Sequence, residues 1–364
     1  MVAATENGDC NGDGGRDISD AVCILNWLFS GGPEPAQPCS DGPPDRENGD
    51  TNGDGDRDLS DAVFLLAWLF SGSAEPAPIQ CRPTGTLRFA VLGNTGKGNT
   101  GQHEVAEAIR ARCDATECDF VLLLGNNIYD DGVSSVDDSQ WQEKFEVPYA
   151  PLDLDFHAVL GNHDYGGNGA GYDKAKAEYQ VAYTAVSEKW LMPSRYYRFS
   201  AGNAEFFGLD TVEQLWREDD DQRTATSAWI GASTAEWKIA FGHHSYRSNG
   251  PHGNAGTYDG LPFIPIVNGA GVKEFFDEVL CGRVDLYLSA HDSSLQWLSE
   301  TCDGTELVLS GAGASTSELS GSNPTLFESL ALGFLLVEIE GRRLTAEFIG
   351  TDGQVLFSRS IEKP

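Results

Sequence analysis

Basic residues are scarce in this chain: 24 Lys plus Arg stand against 56 Asp plus Glu over 364 residues, a formal net charge of −32. Such a field repels a phosphate backbone and no basic patch interrupts it, which argues against nucleic acid as a partner. Calcium suits it better, although much of the surplus acid can simply serve solubility. No apolar stretch is long enough to cross a membrane, and none of the eight cysteines (10, 23, 39, 81, 113, 118, 281 and 302) falls in a Cys-x-x-Cys zinc pattern. An even number of scattered cysteines suits an oxidising, extracellular setting. No signal-peptide apolar core follows Met1, so export implies a signal removed before this numbering begins. Eight cysteines permit 105 pairings; proximity suggests Cys113 with Cys118 and Cys281 with Cys302. A nucleophilic serine elbow, a dinucleotide fingerprint and a phosphate-cradling loop are also missing, since Gly93-Asn-Thr-Gly-Lys-Gly98 has the wrong spacing for the last.

What is present begins with a repeat. Asp9-Cys-Asn-Gly-Asp-Gly-Gly-Arg-Asp-Ile-Ser-Asp20 recurs 41 residues later as Asp50-Thr-Asn-Gly-Asp-Gly-Asp-Arg-Asp-Leu-Ser-Asp61, and each copy runs on into a short apolar helix. Oxygen donors at positions 1, 3, 5, 9 and 12 surround a glycine at position 6, where a chain turns sharply around a hard cation. The donors are Asp9, Asn11, Asp13, Asp17 and Asp20 with the Gly15 carbonyl, then Asp50, Asn52, Asp54, Asp58 and Asp61 with the Asp56 carbonyl. Two calcium ions are expected, and without them the crowded carboxylates should repel. This segment resembles the dockerin type I module. The resemblance implies a small all-helical domain with two EF-hand-like calcium loops over 1–75, which docks a protein partner such as a cohesin; self-assembly is the other expectation. Trp27, Leu28, Phe29, Trp68, Leu69 and Phe70 are expected to be mostly core, because so small a unit has little other apolar material. Residues 76–85 read as a linker.

From 86 to 364, short apolar runs end in polar turns. Runs at 87–92, 120–124, 156–160, 205–210, 237–241 and 284–289 read as strands, with 307–309, 333–339 and 344–349 as mixed or antiparallel ones. Helices are expected at 102–112, 173–188 and 271–279. Gly, Asn or His directly after a strand places a site at strand ends, where open α/β sheets keep their chemistry.

The turns themselves are Gly93-Asn-Thr-Gly96, Gly125-Asn-Asn-Ile-Tyr129, Gly161-Asn-His-Asp164, Gly242-His-His244 and Ala290-His-Asp-Ser293. In this order they resemble the calcineurin-like metallophosphoesterases, and within them the small tartrate-resistant purple acid phosphatases. The resemblance implies an α/β (mixed α+β) fold: a β-sandwich of two mixed sheets flanked by helices. It also implies a two-metal centre. One metal would take an aspartate at 94, a bridging aspartate at 126, Tyr129 and a histidine at 293; the other would share position 126 with Asn162, His243 and His291. This chain has Asn94, Asn126 and Ser293, so the first set is degraded while Asn126, Asn162, His243 and His291 remain as a residual site. His163 matches the family histidine that contacts phosphate and assists the leaving group; His244 is a weaker candidate beside it, and His252 can line the same mouth.

An amide is neutral and bridges cations poorly, and a serine hydroxyl is a weak, short substitute for imidazole. Ferric iron is therefore not expected at the first set, whereas one zinc, iron or manganese ion can be held at the second. The favoured expectation is a catalytically degenerate, calcium-stabilised extracellular protein used in binding or assembly. The alternatives are an acid-phosphatase-type phosphomonoesterase, or a hydrolase working with the single remaining metal.

Overall fold

The computed structural model describes residues 6–36, 48–53, 57–76, 79, 85–217, 220–261, 263–264 and 267–364. Asp54, Asp56, Cys39, Cys81 and most of the expected linker lie outside them. Two compact units divide the chain, Met1–Thr86 and Leu87–Pro364.

In the first unit, α1 (Ile18–Ser30) and α2 (Leu59–Ser71) are built alike. Each starts at an aspartate N-cap, Asp17 or Asp58, within a capping box closed by Asp20 or Asp61, and ends at a left-handed glycine, Gly31 or Gly72. The copies interlock through asparagine: Asn7 Nδ2 donates to the Asp50 carbonyl and Asn48 Nδ2 to that of Asp9, both at 2.7 Å. Cys10, Ala21, Ile24, Ala62 and Leu65 form the core, and Cys10 is joined to Cys23. The aromatic ends of the helices behave differently from expectation. Phe29 and Phe70 are about 70% exposed, while Trp27 and Trp68 are half-buried under the guanidinium groups of Arg57 and Arg16, at 4.5 and 4.4 Å.

The second unit is a sandwich of two mixed seven-stranded sheets. The first contains β1 (Thr86–Leu92), β2 (Phe120–Leu123), β3 (Asp155–Ala158) and β4 (Trp190–Leu191) in parallel. The second contains β5 (Tyr197–Ala201), β6 (Ala204–Gly208), β7 (Trp237–Phe241), β8 (Leu286–Ser289), β9 (Leu295–Leu298), β10 (Glu306–Ser310) and β11 (Thr325–Ser329). An antiparallel meander of β12 (Gly333–Glu340), β13 (Arg343–Gly350) and β14 (Val355–Glu362) extends the first sheet beyond β1.

Strand alternation explains the layering. Phe206 and Ile239 point into the core shared with Phe89 and Phe120, and the Phe206 ring lies 5.2 Å from Phe89 and 5.4 Å from Phe120 across the two sheets. Their neighbours Phe207 and Ala240 face a second core with Val272 and Phe275 of α3 (Ala270–Phe275). Both faces of these central strands are thus covered, as in parallel sheets generally. The disulfides Cys113–Cys118 and Cys281–Cys302 form as proximity suggested. No described helix is long and apolar enough to cross a membrane.

Candidate functional site at the strand ends

The turns after β1, β2, β3, β7 and β8 converge at one end of the sandwich. Close backbone approach sets their composition: a Cβ on Gly96 would lie 1.8 Å from the Asn127 carbonyl oxygen, and Gly125 has φ +84° with a would-be Cβ 2.6 Å from Gly161 N. Asn94 and Asn126, both at φ +56°, occupy the left-handed region that Asn tolerates. His291 does so at φ +64°, an unusual conformation for a bulky residue and one that concentrates at functional sites. Asp164 ties the turns together: fully buried, its carboxylate accepts from Asn127 N (3.0 Å), Ile128 N (3.1 Å), Gly161 N (2.8 Å) and Gln180 Nε2 (2.8 Å). Burial raises its pKa, and those four donors oppose the rise.

The residues of the degraded set contact one another directly. Asn94 Nδ2 donates to the Gly311 carbonyl (3.1 Å), the His291 carbonyl (3.3 Å) and Ser293 Oγ (3.3 Å). Asn126 Nδ2 donates to Asn94 Oδ1 (3.1 Å) and Tyr129 Oη (2.9 Å), and the Tyr129 hydroxyl donates to Asn94 Oδ1 (3.1 Å). Asn126 Oδ1 accepts from His163 N at 3.0 Å. Amide donors thus fill the space where cations would need oxygens, and burial pushes the Tyr129 phenol up, away from the phenolate a ferric ion needs. This donor set does not fit ferric iron.

Asn162, His243 and His291 differ. His243 Nδ1 lies 2.8 Å from the Leu124 carbonyl and so carries the proton, which leaves Nε2 as a lone pair. Burial holds His243 and His291 well below the usual histidine range, so both rings are neutral. Asn162 Nδ2 donates to the Gly169 carbonyl at 3.0 Å, which turns its Oδ1 towards His243 Nε2, also at 3.0 Å. Two acceptors therefore face each other, with His291 Nδ1 3.1 Å from the same Nε2. Asn162 and His243 are each held from behind, as metal ligands are by their supporting bonds, and a divalent cation would relieve the opposition. This set fits one such ion.

His163 Nδ1 is 2.7 Å from the Asp130 carbonyl and its ring lies against Tyr129 at 4.3 Å. His244 lies behind His291, with ring centroids 4.6 Å apart. Burial, then the neighbouring His252, lowers its pKa to about 3. His252 stacks on His291 at 3.9 Å. These groups line a cavity of about 450 Å³ together with Trp216, Tyr258 and Ser317, which sequence reasoning did not single out. Asp164 had a signal, its place in Gly161-Asn-His-Asp164; Trp216 had none.

Residues 87–294 match the calcineurin-like phosphoesterase family. The chain belongs to that family. Purple acid phosphatase 4 of Arabidopsis thaliana is 29% identical over 312 residues, 77% of this chain and 85% of that protein. Tartrate-resistant acid phosphatase type 5 of Sus scrofa is 29% identical over 322 residues, 77% and 88% of the two chains. In fold, the calcineurin-like unit is similar to GAP50, described as the anchor in the inner membrane complex of Plasmodium. That structure has a TM-score of 0.60 at 21% identity, covering 77% of this chain and 89% of that one. The domain is thus purple-acid-phosphatase-like with an incomplete ligand set, and its disulfides are consistent with an extracellular protein.

A partial one-ion grouping lies away from this site, where ligand atoms of Asp277, Cys281 and Cys302 fall within 4.8 Å of one another. The two sulfurs are joined as a disulfide and offer no thiolate. In the first repeat, Gly14 at φ +88° donates to Asp9 Oδ2 at 3.0 Å, and Asp20 accepts from Asn11 N and Asp17 N. No three of the loop carboxylates come within 4.8 Å of one another among the described residues.

Proposed function

We propose that this protein is a purple-acid-phosphatase-like hydrolase that has lost its two-metal chemistry and serves in extracellular binding or assembly. The observation that carries the reading is the direct hydrogen bonding of Asn94, Asn126, Tyr129 and Ser293. A cluster of neutral donors satisfies itself and leaves no carboxylate to bridge two cations or to offset their charge. His163 then keeps its place without a bridged, activated water to serve. The residual set of Asn126, Asn162, His243 and His291 is proposed to hold a single zinc, iron or manganese ion, with the opposed Asn162 Oδ1 and His243 Nε2 as its support. When bound, such an ion supplies Lewis acidity at one point only.

We further propose that residues 1–75 form a dockerin-like module with two calcium ions, on Asp9, Asn11, Asp13, Gly15, Asp17 and Asp20, and on Asp50, Asn52, Asp54, Asp56, Asp58 and Asp61. The repeated ligand spacing and the turn at Gly14 support it. So does the pKa of Asp20, which burial raises first and the nearby Asp9 and Asp13 raise further, a cost that a cation would offset. A protein-facing role for the module is supported by Val22, Phe29, Val63 and Phe70, exposed at matching places in the two repeats.

Metal content tests both parts. Protein purified in calcium without chelator should carry two calcium ions and at most one transition metal per chain. Two transition metals per chain would overturn the lost-centre reading, and absence of calcium would overturn the module. A single-metal hydrolase is the second reading, favoured by the convergence on His243 Nε2; it requires turnover that disappears in His243→Ala.

A further inference from the structure

The cavity at the strand ends is proportioned for a ligand. At about 450 Å³ it falls within the roughly 300–1,000 Å³ of small-molecule sites. Among the described residues its lining contains no lysine or arginine, and its one carboxylate, Asp259, is 2.7 Å from His252 Nδ1. Lys97 stands over the Tyr129 ring at 4.8 Å and is not part of the lining. A phosphate group would enter without a fixed cation to meet it, against the field of a chain with net charge −32.

Two kinds of side chain line the cavity. One is polar, with Asn126, Asn162, Asn168, His163, Ser293 and Ser317; the other is apolar, with Leu215, Trp216, Pro251 and Val267. Trp216 is held in plane by a pile of rings: it lies 5.1 Å from Tyr172, which stacks on Tyr165 at 5.3 Å. At the back, His244 is 1% exposed with Nδ1 bonded to Thr211 Oγ1 at 2.8 Å, while its Nε2, a buried polar atom of a cavity-lining residue, has no partner.

We propose that the vestigial site binds a neutral saccharide, with one sugar face on Trp216 and its hydroxyls on the amides and Ser317. A pyranose combines an apolar C–H face with a rim of uncharged hydroxyls, which is the combination the two kinds of lining call for. The inference rests on the reading of a lost hydrolase, because a working two-metal centre would instead make the pocket a phosphate site.

Saturation-transfer NMR on the full chain in calcium tests it, with cellobiose, maltose and N,N′-diacetylchitobiose as neutral probes and glucose 6-phosphate as the anionic one. Transfer to the ring protons of at least one neutral disaccharide is expected, and Trp216→Ala should weaken binding at least tenfold. Ala170→Trp fills the mouth from an exposed, cavity-lining position and keeps the test clear of folding defects; it should abolish transfer with an unchanged melting temperature. No transfer to any neutral probe at about 10 mM, an order of magnitude above a weak Kd of about 1 mM, would overturn the proposal. So would transfer that survives Ala170→Trp, or a preference for glucose 6-phosphate. Hydrolysis of p-nitrophenyl phosphate by the same sample would overturn the lost-hydrolase reading separately, and the transfer result still decides saccharide binding.

Discussion

Putting one carboxylate back should harm this protein before it helps. In Asn94→Asp the amide nitrogen that donates to Gly311 O, His291 O and Ser293 Oγ becomes an acceptor, so two carbonyl oxygens at 3.1 and 3.3 Å face an oxygen that has nothing to give. Each lost hydrogen bond is worth about 1 kcal/mol net, and a buried group left unsatisfied adds about 1–3 kcal/mol, more when charged. At a fully buried position a destabilisation of about 3–5 kcal/mol is expected, the size seen when buried pairs are broken. The introduced carboxyl should have a folded-state pKa above the unfolded value near 3.9. The folded state then binds the extra proton, and the penalty grows as pH rises from about 4 through that folded-state value. Denaturant unfolding of wild type and variant at pH 4 and pH 7 reads this out. Adding Asn126→Asp and Ser293→His should deepen the loss in chelator and recover it with zinc, iron or manganese, by about 2.7 kcal/mol when the metal is at a hundred times its Kd. If Asn94→Asp is as stable as wild type at pH 7 in chelator, direct hydrogen bonding is not what holds these turns.

Other perturbations should behave as follows. Calcium removal should lower the melting temperature of residues 1–75, and Asp20→Ala should reduce calcium stoichiometry by one, as calorimetric titration would record. In metal-free protein the larger unit should lose stability as pH falls from about 6.5 towards 3, because unfolded histidines take up protons there while burial holds His244 to about 3 and His243 and His291 well below 6.5. Asp210 acts oppositely. Raised to about 7, chiefly by burial, it binds its proton more tightly when folded. Its contribution therefore declines as pH rises from about 4 to 7, and Asp210→Asn should steepen the net acid sensitivity in pH-dependent melting. Arg195→Met should cost about 3 kcal/mol by chemical denaturation, since it strips the buried Glu213 of a bonded guanidinium.

Much of the fold was legible because periodicity and turn chemistry agreed. The run at 237–241 is a strand with those bounds, and the runs at 87–92 and 344–349 gain only a residue at an end or two. Short or weakly apolar elements were not legible: β4 has two residues, and β14 alternates only between exposed and half-buried side chains, so its apolar face is weakly marked. The helix expected at 271–279 changes type at Phe276, where an α-helical turn passes into a π turn. In the small unit the error concerned Phe29 and Phe70, because alanines and one large residue per helix, Ile24 and Leu65, suffice where the helices cross. At the site, the motif turns announced which residues meet, but hydrogen-bond direction was hidden. That Asn162 presents oxygen to His243 depends on the Gly169 carbonyl, and that Asn94 presents nitrogen to carbonyls depends on Gly311, far away in sequence; neither partner can be paired with its asparagine from the motifs alone. The apolar lining was hidden for the same reason, since the Trp216 plane is set by Tyr172 and Tyr165.

The most direct test of a lost hydrolase is the initial rate of p-nitrophenyl phosphate hydrolysis by the full chain, supplied with calcium and with zinc, iron or manganese in turn. A lost hydrolase gives a rate indistinguishable from buffer, unchanged in His163→Ala and His291→Ala. Metal-dependent turnover in wild type that disappears in His291→Ala would contradict it.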